Sequence, residues 1–216
     1  MPFGGIKVAE VPVHYVWHDD QGPHHWQHTY GLAYAGDVLS AFLLKELVSD
    51  ALRHLEGLRR PGDFGFDDLK AIVASAQRHF AGDMLRHLGE NENLDFFFAG
   101  FCPKTQRVRV AKFYVDLGTE RTESKEIFIH DGVDCETVGI ESAAARFRQL
   151  FQLNLSAPPC RVHFAAMRRL RDVITEAISP HVAGAIQYGE FDPAGNFTTS
   201  ATAMLRMGEY GLEMDT

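Results

Sequence analysis

The spacing of apolar residues divides the chain into strands and helices before any other property is considered. Residues 6–18, IKVAEVPVHYVWH, alternate loosely and are rich in Val, Tyr and Trp, the composition of a strand. Pro12 has no amide proton, which puts that strand at an edge or a bulge. The polar cluster Asp19-Asp20-Gln21-Gly22-Pro23 predicts a turn, and residues 25–35 return as a second strand. After Ala35-Gly36 the period changes. From Asp37, an N-cap residue, Leu39, Phe42, Leu43, Leu47, Val48, Leu52 and Leu55 recur at three- and four-residue steps as one apolar stripe. Lys45, Glu46, Ser49, Asp50 and Arg53 take the opposite side, and Gly57 is placed to stop the helix. A strand that turns through small residues into a core-facing helix organises the rest of the chain.

A second helix is predicted from Asp67 or Asp68, with Leu69, Ile72, Val73, Ala76, Phe80, Met84 and Leu88 as its stripe and Gly89 as its stop. Residues 94–101 and 108–115 are dense apolar runs around Cys102-Pro103-Lys104-Thr105, which predicts a buried hairpin closed by a type I turn. Residues 125–130 and 135–138 read as short strands around Asp131-Gly132. A third helix follows Ile140, with Ala144, Phe147, Leu150 and Phe151 inward, and Pro158-Pro159 ends it. Residues 161–178 form a fourth helix, residues 181–188 and 196–200 a closing hairpin, and residues 204–216 a loosely held acidic tail. Residues 1–203 are thus read as one domain. Runs of strands followed by runs of helices specify an α+β protein, here a four-layer α-β-β-α sandwich with a helix pair outside each of two facing sheets.

Composition narrows the function classes. At 216 residues the chain can bury a sizeable core, and 45% hydrophobic with 23% charged residues is the balance of a globular protein. A net charge of −8 argues against nonspecific nucleic-acid binding, which needs positive charge to displace counterions. No run approaches the roughly 18–20 apolar residues of a membrane span. Three widely spaced cysteines, Cys102, Cys135 and Cys160, suggest neither a disulfide framework nor a zinc ribbon, so the expected compartment is the cytoplasm and no cofactor is expected.

Several local patterns then fall in a familiar order. Gly31-Leu32-Ala33-Tyr34-Ala35-Gly36-Asp37 enters the first helix, Phe97-Phe98-Ala99-Gly100-Phe101 starts the central hairpin, and Val138-Gly139-Ile140-Glu141-Ser142-Ala143 enters the third helix. Ser179-Pro180-His181-Val182-Ala183-Gly184-Ala185-Ile186 leads to the last strands. In this order the chain resembles a proteasome-type subunit of the N-terminal-nucleophile hydrolase superfamily, the threonine-peptidase family, over residues 6–200. The resemblance implies peptide-bond hydrolysis inside a homo-oligomeric ring or helical stack. It also implies a nucleophilic Thr, Ser or Cys whose own free α-amine is the base. Here the sequence departs from the family. It opens with Met1-Pro2, the family's nucleophile-bearing hairpin is missing, and Gly118-Thr119 lies deep in the middle strands. Lys7 is the candidate for the family lysine that lowers the nucleophile's pKa. A sandwich without its first hairpin would leave a sheet face bare, so a start displaced relative to the family is expected, with a non-catalytic assembly subunit as the alternative.

Other residues invite chemical readings. His14, His18, His24, His25 and His28 crowd a predicted hairpin, and His24, His25 and His28 are candidate ligands for a zinc-, copper- or nickel-type metal. Against this, the spacing matches no metal motif, and adjacent strand residues point to opposite faces. Cys102 without an evident His partner reads as structural. Arg161, Arg168, Arg169 and Arg171 read as a solvated helix face, or as a contact with an acidic neighbouring subunit.

Overall fold

A computed structural model describes residues 7–35, 38–57, 60, 63–88, 95–116, 121–128, 136–139, 141–152, 162–176, 186–202, 205–208 and 211–214. The chain is α+β and forms two compact units. One comprises Lys7–Phe128 and Gly189–Thr199, and the other takes in Ile129–Tyr188 and Ser200–Thr216.

The first unit is built on a long hairpin, β1 (Val8–Asp19) and β2 (Gly22–Ala35), which pair antiparallel along their length from Val8↔Ala33 to Asp19↔Gly22. Helix α1 (Val38–Arg53), strand β3 (Leu55–Gly57) and helix α2 (Phe66–Leu88) follow. Then come β4 (Asp95–Cys102), β5 (Arg107–Asp116) and β6 (Arg121–Ile127). The six strands make one sheet in the order β3-β1-β2-β4-β5-β6, antiparallel throughout except for the β3–β1 edge.

Period-two alternation decides what this sheet buries. In β4 every second residue (Phe96, Phe98, Gly100 and Cys102) is buried, while Phe97, Ala99 and Phe101 are half-buried. Val11 and Val13 of β1, Tyr30 and Leu32 of β2, and Ala111 and Phe113 of β5 share the inner face with Phe96 and Phe98. Against it lie Leu44, Val48 and Leu52 of α1 and Phe66, Leu69 and Val73 of α2, in one continuous cluster. Each fully buried Leu, Val or Phe contributes about 1.5–3 kcal/mol, so this cluster is the main stabilising feature of the unit. Tyr30 packs flat over Gly100, where a Cβ would collide with its ring, and its hydroxyl donates to the Phe101 carbonyl.

Several expectations need correction. Phe42 and Leu43, placed on the inner stripe of α1, are 54% and 44% exposed, whereas Ser49, placed on the polar side, is 2% exposed. Val48 and Leu52 are buried as expected, and Ala41 and Leu44 complete the stripe in place of Phe42 and Leu43, a rotation of about one residue towards Ser40 and Ser49. Gly57 does not stop the helix. α1 ends at Arg53, and Leu55–Gly57 joins the sheet beside β1. At α2 neither Asp67 nor Asp68 is the N-cap. The helix opens after Gly65, and Asp68 reaches back to accept the Gly65 amide proton at 2.8 Å, the reciprocal half of a capping box. Residues 136–138 carry no strand. The expectations for Asp37, for the side chains of Leu39, Met84 and Leu88, and for Gly89, Asp131-Gly132, Gly118-Thr119, Pro158-Pro159 and residues 181–185 lie outside the described residues.

In the second unit α3 (Glu141–Gln152) and α4 (Val162–Thr175) pack through Ala143, Phe147, Leu150 and Val173. Arg146 of α3 binds the Glu176 carboxylate through two nitrogens at 2.7 and 2.8 Å. Strands β7 (Ile186–Phe191) and β8 (Phe197–Thr202) form a two-stranded sheet, of which Gly189–Thr199 belongs to the first unit. So do β9 (Leu205–Gly208) and β10 (Gly211–Met214), within the segment read as a tail.

Candidate functional site

The tip of the β7–β8 hairpin, residues 189–199, belongs to the first unit and engages the sheet face opposite the helices. Gly31 and Glu10 are cross-strand partners and alternate with the inward Tyr30, Leu32 and Val11, so they mark that outer face. The Phe197 ring lies over Gly31, where a Cβ would sit 2.7 Å from it. The Thr199 amide and hydroxyl both donate to Glu10 Oε1, at 2.8 and 3.0 Å, and the Thr29 amide donates to Asn196 Oδ1 at 3.3 Å. Asp192 stiffens the turn by accepting the Asn196 amide at 2.8 Å, and this bond holds its carboxyl below the ordinary range. The tip is fixed by side-chain-to-backbone bonds and one aromatic contact.

On the inner face, the start of α2 meets the end of β4. The Phe66 amide donates to Cys102 Sγ at 3.4 Å. Burial pushes the Cys102 thiol up, but hydrogen bonds from Thr105, Phe66 and Lys104 outweigh it and the net shift is downward. Beside it, Arg109 of β5 binds Glu126 of β6 at 2.6 Å and Asp67 of α2 at 2.8 and 3.1 Å, with its guanidinium over the Phe66 ring. Arg109 hydrogen bonds hold both carboxyls below their ordinary values, and the same bonds to Glu126 and Asp67 raise its own pKa. The Cys102 neighbours are donors and a cation. Such a cradle stabilises a sulfur anion but supplies no base to activate a nucleophile.

Lys7 stands just before β1. Its carbonyl accepts the Tyr34 amide at 2.9 Å and its ammonium lies 5.9 Å from the centre of the Tyr34 ring. The three candidate metal ligands go separate ways. His24 Nε2 meets Asp19 Oδ1 at 2.9 Å and its ring stacks on Trp17, and Arg60 approaches the same carboxylate at 3.6 Å. The Asp19 carboxyl is held low first by the Gln21 amide and then by His24. On the opposite face, His25 Nδ1 is 3.0 Å from His14 Nε2. His28 lies between Trp26 and Phe101 with its Nδ1 buried and unpartnered, and burial holds its pKa down. Among the described residues no group of three His, Cys, Asp or Glu side chains is placed to hold a metal ion.

Sequence reasoning missed Glu10, Asn196, Thr199 and Arg109. The first three act across more than 160 residues of chain, and no local period points to such pairings. Arg109 carried a faint signal: a charged residue inside an apolar strand needs partners if its side of the sheet is covered. Comparisons with models of protein families, with curated proteins and with solved structures give no match. No described helix is long and apolar enough to cross a membrane.

Proposed function

We propose that the chain is a proteasome-type subunit of the N-terminal-nucleophile hydrolase superfamily, with the α-β-β-α sandwich fold of that class. We read its role as assembly into a homo-oligomeric ring or helical stack. The observation that carries this reading is the treatment of the six-stranded sheet. It bears α1 and α2 on one face and the tip of a second, two-stranded sheet on the other, the start of a sheet-on-sheet layer. The order of elements, with hairpin, helix pair, central hairpin, helix pair and closing hairpin in sequence, supports it as well.

A hydrolytic role would need a Thr, Ser or Cys whose own α-nitrogen is free. Each described Thr, Ser and Cys holds that nitrogen in a peptide bond, and Cys102 is fully buried. Lys7 is proposed as the lysine that would serve such a residue, on its placement at the head of β1. Static light scattering of the purified protein, with a fluorogenic peptide assay on the same sample, tests the reading. Several copies per particle and no peptide turnover are expected. A single-copy mass at micromolar concentration would count against assembly, and turnover removed by Lys7→Ala would count against the purely assembling role.

A further inference from the structure

The histidine-rich hairpin offers one chemical arrangement that the proteasome-type reading does not use. In the β1–β2 register His14 faces Gln27 and Val16 faces His25, which puts His14 and His25 diagonally next to each other on the outer face. Their rings are 5.3 Å apart at the centroids, within 20° of parallel, and His14 Nε2 is 3.0 Å from His25 Nδ1. His25 is exposed and His14 half-buried, so water reaches the pair.

We propose that His14 and His25 form a two-imidazole site for a divalent copper-type metal ion, with water completing its coordination. Imidazole nitrogen suits copper, nickel and zinc, and each nitrogen binds at about 2.0–2.1 Å. Two nitrogens already 3.0 Å apart need only ring rotation to converge on one ion. The general order of divalent-metal affinities favours Cu²⁺ over Zn²⁺ at such a nitrogen pair.

In the present pair one ring donates an N–H to the other. On metal binding that proton moves through solvent to the donor ring's second nitrogen, and both rings turn until their lone pairs converge. Gln27 lies on the same face, directly across from His14. The metal ties β1 to β2 and binds the folded hairpin only, so it raises thermal stability by mass action.

The test is titration of the purified protein with Cu²⁺ in a non-coordinating buffer, read by calorimetry and by the nitrogen hyperfine structure of the copper resonance. One tight equivalent with a two-nitrogen pattern is expected. His14→Gln and His25→Gln should each weaken it at least tenfold, while His18→Gln and His24→Gln leave it unchanged. Unchanged circular dichroism in the Gln variants shows that the fold is kept. Wild-type affinity in both His14→Gln and His25→Gln, or loss in His24→Gln instead, would overturn the assignment.

Discussion

Phe197 and Gly31 meet at a distance that only a missing side chain permits, and this contact is the most exposed point of the account at the scale of residues. A Cβ at position 31 would lie 2.7 Å from the Phe197 ring. Gly31→Val is expected to destabilise the protein by about 1–3 kcal/mol in urea unfolding, and most of that loss should vanish in a Phe197→Ala background. Gln77 makes the opposite case. It is 3% exposed, and both its amide nitrogen and its amide oxygen are buried without a partner. Gln77→Met keeps the shape and removes the unpaired polar atoms, so it is expected to hold stability level or raise it by about 1–3 kcal/mol. Neither position announced itself in the sequence. Gly31 reads only as part of residues 31–37, the stretch that enters the first helix, and Gln77 draws no reading at all. The α1 stripe shows why. Phe42 and Ser49 are each one step from the buried line, and a period of 3.6 fixes the direction of a helix face only to within such a step.

At the scale of elements, Arg109 joins three pieces of chain: the first turn of α2 through Asp67, its own strand β5, and β6 through Glu126. Replacing it with Met should cost about 1–3 kcal/mol, toward the lower figure because Asp67 is 63% exposed. The pH response gives a sharper reading. Arg109 holds the Asp67 and Glu126 carboxyls below their ordinary values of 3.8 and 4.5. Folded values lower than unfolded ones mean that the stabilisation is complete above the ordinary values and lost as pH falls through the folded ones. Wild-type protein should therefore lose stability more steeply than Arg109→Met below about pH 4.5, as measured by unfolding at a series of pH values. The elements themselves were mostly legible. The hairpin, both helices of the first unit and the central hairpin follow from periods of two and 3.6, because each buries one regular face. Strand β3 was not legible, since Leu55–Gly57 is three residues long and continues the apolar rhythm of α1.

For the molecule as a whole, the sequence conveyed the α+β class and the main hairpins and helices, but not β3, β9 or β10, nor which sheet face each element would cover. The attachment of residues 189–199 to β1 and β2 depends on Glu10 meeting Thr199 and on Thr29 meeting Asn196, pairings that only the folded chain creates. The histidines illustrate the same limit. Their crowding and the opposite facing of His24 and His25 were legible in the sequence, but only the register pairs His14 with His25. The hairpin tip begins a second layer on the outer face of the six-stranded sheet. On the proposed reading, copies of the chain complete one another in a repeating particle. Electron cryomicroscopy of the purified protein tests that claim most directly. Class averages showing a closed ring or a regular stack of copies are the predicted result, and a field of single, unassembled copies would contradict it.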